Sequence, residues 1–238
     1  MRKRLLILLI ACLAAAAGCD EPEDAGILEP DVEFTWESGL EGWEMGYADY
    51  PAGLSLDDSL NLYEMSYGHS VLPASIKPQQ KGIMLAGANR SDDLFMYAFG
   101  RVNGLVPGAT YDILFDLEIA SNAPTHAVGI GGAPGESVFM KAGATPSRPS
   151  VEVVDGWYRM TIDKGNQSQG GKDMAVVGHA GVAHGTTQYT LIRRENAVPL
   201  QATADDQGRL WVIVGSDSGF EGYTELYYAN LRMTLTKR

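Results

Sequence analysis

The chain has 238 residues, 45% of them apolar and 20% charged. That is too apolar for a disordered protein, and long enough to bury a large core without cross-links. With 18 basic residues against 30 acidic ones, it lacks the basic surface that nucleic-acid binding requires.

Met1-Arg2-Lys3-Arg4 is basic, and Leu5 to Leu13 form an uncharged apolar run. The run is too short to span a bilayer, which takes ~20 residues, and suits an export signal. Leu13 to Cys19 resembles the lipobox of bacterial lipoproteins. It matches at Ala17, Gly18 and Cys19 and carries Ala16 where the family prefers Leu. The resemblance implies removal of residues 1–18, lipidation of Cys19, and anchorage to a bacterial membrane on its extracytoplasmic side. Cys12 leaves with the signal, so the mature chain keeps no thiol for a disulfide. Residues 19–31 are acidic and proline-bearing and read as a flexible tether. Residues 32–238 read as one domain.

Beyond the tether the hydrophobic period is near two. Candidate strands run from Leu60 to Tyr67, Ile83 to Ala86, Leu94 to Val102 and Tyr111 to Ile119. In the last of these, Tyr111, Ile113, Phe115, Leu117 and Ile119 share one face, and Asp112, Leu114, Asp116 and Glu118 the other. The turn signal Val106-Pro107-Gly108-Ala109 predicts that this strand and Leu94 to Val102 form a hairpin. Further strands follow at Ser137 to Ala142, Tyr158 to Asp163, Met174 to Val177, Tyr189 to Arg193, Arg209 to Val214 and Glu225 to Leu235. No stretch of a dozen residues combines helical periodicity with caps. Many short strands separated by Gly, Pro, Asn and Asp predict an all-β sandwich or barrel.

Three segments resemble a galactose-binding-like jelly roll of the kind found in carbohydrate-binding modules. They are Phe34 to Trp43, Gly104 to Ile113 and Gly156 to Thr161, with Leu226 to Leu235 where that fold has its closing strand. The resemblance implies a jelly-roll β-sandwich and the binding of a carbohydrate. The family often holds a structural calcium with an Asp in the closing strand. Here that stretch is Tyr227-Tyr228-Ala229-Asn230, so no cofactor is expected from it.

Sugar recognition needs aromatic faces and side chains that bond vicinal hydroxyls. Tyr47 and Tyr50 are loop candidates for the faces. Trp157 stands open between platform and core, while Trp36, Trp43 and Trp211 read as core. Four loops dense in Gly and polar residues, 87–93, 129–137, 164–173 and 215–222, supply Asn89, Arg90, Asp92, Asn166 and Gln167. They are expected to converge with Asp116 and Glu118 on one polar site. Asp217 and Glu221 are the candidate oxygen ligands for a structural calcium. No Gly-x-Ser-x-Gly elbow or zinc spacing is present. Three functions follow. One is non-catalytic binding of a neutral glycan, and another is a structural or interaction role in the envelope without a small ligand. The last is glycan chemistry by the Asp116–Glu118 pair, whose backbone spacing of ~7 Å falls within the range of glycosidase carboxylates.

Overall fold

The computed structural model describes residues 31–76 and 80–238. The export signal, Cys19 and nearly all of the tether lie outside the described residues. Fifteen strands and one short helix are present among the described residues. The strands are β1 (Asp31–Phe34), β2 (Glu44–Ala48), β3 (Tyr50–Pro51), β4 (Ser66–Val71), β5 (Lys81–Ala88) and β6 (Leu94–Val102). They continue with β7 (Thr110–Ser121), β8 (Val138–Thr145), β9 (Val151–Val154), β10 (Trp157–Met160) and β11 (Met174–His179). The chain closes with β12 (Thr190–Glu195), β13 (Leu200–Thr203), β14 (Leu210–Ser218) and β15 (Tyr223–Lys237).

The fold is a jelly-roll β-sandwich. One antiparallel sheet runs β12-β7-β15-β5-β4, with β1 added beside β15 and β13 beside β7. The facing sheet runs β11-β8-β14-β6-β2, and a small third sheet joins β3, β10 and β9. Strand β7 shows why the two large sheets close on each other. Tyr111, Ile113, Phe115, Leu117 and Ile119 are all buried, while Asp112, Leu114, Asp116 and Glu118 between them are not. Each such side chain contributes about 1.5–3 kcal/mol on burial.

Two expectations are corrected here. The segment from Leu60 is not a strand at its start. Leu56–Leu62 forms helix α1, capped by Ser55, whose Oγ accepts the Asp58 N–H at 3.1 Å. Asp57 and Asp58 in the first turn favour the positive end of the helix dipole. Strand β4 begins only at Ser66.

The predicted hairpin is also absent. Strand β6 bonds to β14 and β2, whereas β7 bonds to β15, β12 and β13. The turn at 103–109 therefore arches from one sheet to the other, held by Tyr111 Oη accepting the Val106 N–H at 2.9 Å. Stacking the strands face to face lets Leu94, Met96 and Ala98 share one core with Ile113, Phe115 and Leu117.

Trp36 and Trp43 belong to that core, with ring centroids 5.0 Å apart and planes at 88°. Gly100 sits beneath the Trp43 indole, where a Cβ would collide with the ring. Trp211 lies on the other face of its strand. It packs on Phe99 at 5.8 Å and is flanked by Arg101 and Arg148. Phe95, Tyr97 and Phe99 line the same outer face, and Met160, Ile162 and Met174 cover them. The middle of this sheet is therefore apolar on both sides.

Candidate functional site

Strand β2 ends at Ala48, and the chain turns at Asp49 with φ 64° before entering β3. The turn points a buried carboxylate at the neighbouring β10. Arg159 Nη1 lies 2.7 Å from Asp49 Oδ1 and 3.3 Å from Asp93 Oδ2. Lys164 Nζ lies 2.8 Å from Asp49 Oδ2 and also 2.8 Å from Asp217 Oδ2. Lys141, on β8, completes the network at 2.8 Å from the same Asp217 oxygen. Three carboxylates and three cations thus neutralise one another where the facing sheet meets the loops.

The loops are bound to this network and to each other. Gln167 donates its N–H to Asp217 Oδ2 at 2.9 Å and its Nε2 to the Asp92 carbonyl at 2.8 Å. Asn89 Nδ2 donates to the Ser218 carbonyl at 2.7 Å. The Gly219 and Glu221 amides donate to Ser137 and Ile130. All four Gly-rich loops thus meet at one end of the sandwich. Asp49, Asp92 and Gln167 all hold positive φ there. Such conformations are uncommon for residues with a side chain and cluster at functional sites.

A recess of about 350 Å³ opens beside the network, lined by Asp49, Asp93, Arg159, Lys164 and Asn166 among others. Arg159 is 38% exposed at its side chain and Asp93 22%. Its Trp157 neighbour lies under the Arg159 guanidinium at 4.9 Å. Asp93 Oδ1 is buried without a hydrogen-bond partner. Burial outweighs the nearby Lys164 and Arg159 charges, with Asp49 and Asp217 adding repulsion, and pushes the Asp93 carboxyl up to about 7. Burial also acts on both lysines. It lowers Lys141, whereas Asp217 and Asp49 overcome it and raise Lys164. The recess therefore offers a part-exposed carboxyl, a guanidinium and an exposed amide within one polar hollow. That set can hydrogen-bond a hydroxylated ligand.

The sequence-predicted residues divide. Asn89, Asp92, Trp157, Asn166 and Gln167 gather at this end. Arg90 is near in sequence but exposed, and it pairs with Glu64 at 2.9 Å. Tyr47 and Tyr50 are corrected from loop platforms to core residues, each 7% exposed. The peptide between them continues as strands β2 and β3, broken only at Asp49. Tyr47 Oη donates to the Ala86 carbonyl at 2.9 Å, and Tyr50 packs on Tyr158 at 4.8 Å. Neither ring keeps a free face.

Asp116 and Glu118 are not part of the convergence. They lie on the outer face of the other large sheet, in a shallow groove of about 190 Å³ with Glu33, Arg193, Asn230 and Arg232. Asp116 is ion-paired with Arg193. Alternation along β7 sends even-numbered residues outward, away from the loops carried by the facing sheet.

Asp217 and Glu221 are likewise separated. Asp217 is fully buried among lysines, and Glu221 is exposed on the following loop. The carboxylates that do approach one another are Asp49, Asp93 and Asp217. The Lys164 ammonium already stands between the first and last of these. Sequence reasoning missed Lys141, Lys164 and Asp49, because their partners are distant along the chain.

No family model matches the sequence, and no curated protein matches it. Solved structures with a similar course of chain include a carbohydrate-binding module from a study of promiscuous specificity in the β-sandwich superfamily. It shares 12% identity at a TM-score of 0.40, with 86% of this chain and 60% of that one covered. The binding and catalytic modules of a Clostridium thermocellum endo-1,4-β-D-xylanase, complexed with xylohexaose, share 11% identity at a TM-score of 0.40. There the coverage is 86% of this chain and 28% of that one. The chain thus spans less than two thirds of the length of both. A mannan-recognising carbohydrate-binding module shares 13% identity at a TM-score of 0.37, with 88% and 96% covered.

Proposed function

We propose that this protein is an exported, lipid-anchored β-sandwich that binds a neutral carbohydrate without turning it over. The recess at the loop end is the binding site. The observation that carries this reading is the lining of the recess, where the Asp93 side chain, part-exposed, meets the exposed part of Arg159 and Asn166. A pair of vicinal hydroxyls satisfies both: one donates to Asp93 and the other accepts from Arg159. The carboxylates and cations of the network are paired with one another, so an uncharged ligand disturbs their balance least. Trp157 supplies the adjoining aromatic surface, its ring held under Arg159.

Anchorage rests on Leu13 to Cys19 alone. It would place the recess on the extracytoplasmic side of a bacterial membrane, at the end of the acidic tether. The Asp116–Glu118 pair supports no chemistry in this reading, because Arg193 engages Asp116.

A glycan array probed with the full chain and with Asp93→Ala tests the site. The expected result is retention of a hydroxyl-rich neutral oligosaccharide by the parent chain and at least about a tenfold loss in the variant. Silence across plant, microbial and host glycans would leave the structural or interaction role instead.

A further inference from the structure

On the other large sheet, where β7 ends and β15 begins, a second hollow of about 290 Å³ opens beside Pro124, Phe220, Tyr189, Tyr223 and Glu225. Three phenols converge on one carboxylate there. Tyr189 and Tyr227 donate to Glu225 Oε1 at 2.9 and 2.8 Å, and Tyr223 donates to Oε2 at 3.0 Å. The Tyr189 and Tyr227 rings stand at 89° with centroids 5.5 Å apart. Tyr223 is 50% exposed. Glu225 makes no ion pair, and no Lys, Arg or His lines the hollow among the described residues.

Among the described residues the Glu225 carboxylate has hydrogen bonds but no counter-ion. Phenols that donate to a carboxylate become richer in electrons, and an aromatic face attracts cations. Burial first, and then the Glu225 contact, push the Tyr223 phenol up to about 12 and raise Tyr189 and Tyr227 as well. All three remain donors at neutral pH.

We propose that this hollow binds a methylated ammonium group, with Glu225 supplying the charge and Tyr189, Tyr223 and Phe220 the aromatic walls. The site is independent of the loop recess and of its ligand. Hydrogen bonding selects methylated over primary ammonium. Glu225 Oε1 already accepts two bonds and Oε2 one, so too few acceptors remain for three N–H donors. A quaternary ammonium needs none. A neutral sugar would leave the carboxylate without a counter-ion.

Calorimetric titration of the full chain with choline chloride, ammonium chloride and glucose tests the assignment. Choline is expected to saturate one site, with ammonium and glucose at least about tenfold weaker. Glu225→Gln should lower choline affinity by a similar factor. Tyr223→Ala, at a half-exposed position, gives the same test should the first variant fail to fold. Equal response to choline and ammonium, no saturation by choline in either free or lipid-borne form, or choline affinity unchanged in a folded variant would each overturn the proposal. Sedimentation with phosphatidylcholine vesicles, against phosphatidylglycerol vesicles, separates a lipid headgroup from a free solute. Preferential pelleting with phosphatidylcholine identifies the lipid-borne form, and binding of free choline without pelleting identifies the solute.

Discussion

Lys141 and Asp217 meet on the outer face of the sheet containing β8 and β14, Nζ to Oδ2 at 2.8 Å, with neither side chain exposed. The lysine also donates to the Lys164 carbonyl at 2.8 Å and to the Gln169 carbonyl at 3.0 Å. One ammonium therefore ties a strand to the loop 164–173. Removing Lys141 leaves the buried Asp217 with Lys164 as its one remaining cation among the described residues and takes away the donor to the Lys164 carbonyl. Lys141→Met is expected to destabilise the protein by about 3 kcal/mol. The double variant Lys141→Met with Asp217→Leu should recover much of that loss. Denaturant unfolding of the parent, both single variants and the double variant gives the coupling energy, and strict additivity would contradict it.

Asp93 predicts an unusual pH dependence. Its folded carboxyl is raised to about 7, chiefly by burial, against about 3.9 in the unfolded chain. A group raised in this way favours the fold fully at low pH. Its contribution is lost as pH climbs from about 4 through 7. Partial exposure and the neighbouring cations moderate the effect to about 1–2 kcal/mol over that range. Asp93→Asn should flatten the slope and raise stability at pH 8. Melting curves between pH 5 and pH 8 measure it, and an unchanged slope in the variant would rule the assignment out.

Lys164 predicts indifference to calcium. Its ammonium lies 2.8 Å from both Asp49 and Asp217, so the position a divalent ion would take between them is filled. Melting temperatures in calcium and in chelator should agree within error. A rise of several degrees with calcium would mean that an ion binds the native state.

Gly100 predicts a steric cost. The Trp43 indole covers its Cα, and a methyl there would strike the ring. Gly100→Ala should destabilise by about 1–3 kcal/mol, as overpacked cores do. Trp43→Phe in the same background, a smaller ring, should relieve part of it. Denaturant midpoints of the single and double variants provide the comparison.

What the sequence disclosed follows the distance over which each signal acts. The alternation of Tyr111 to Ile119 is local and survives intact in β7. Strand β6 runs from Leu94 to Val102, as its pattern indicates. The sheet each strand joins is not local. Pro107 and Gly108 mark a turn equally well in a hairpin or in an arch between sheets, and only the shared core distinguishes them. The loop at Asn166 and Gln167 was legible, because Gly and short polar residues break the strand alternation there. Lys141 was hidden, since it sits inside an apolar strand and its partner lies 76 positions away, while Asp217 was named as an oxygen ligand on a loop and instead lies near the end of β14, paired with lysines. Tyr47 and Tyr50 misled for a related reason. The Asp49 backbone kink resembles a loop in sequence, yet it serves a buried ion pair.

The small β3-β10-β9 sheet makes part of the molecule three layers thick. Strand β14 has a ladder on each edge, from β6 and β8, and apolar cover above and below. Its amides have no route to solvent short of wholesale opening. They should be the last to exchange with deuterium, which would make β14 the keel on which the rest of the protein is assembled.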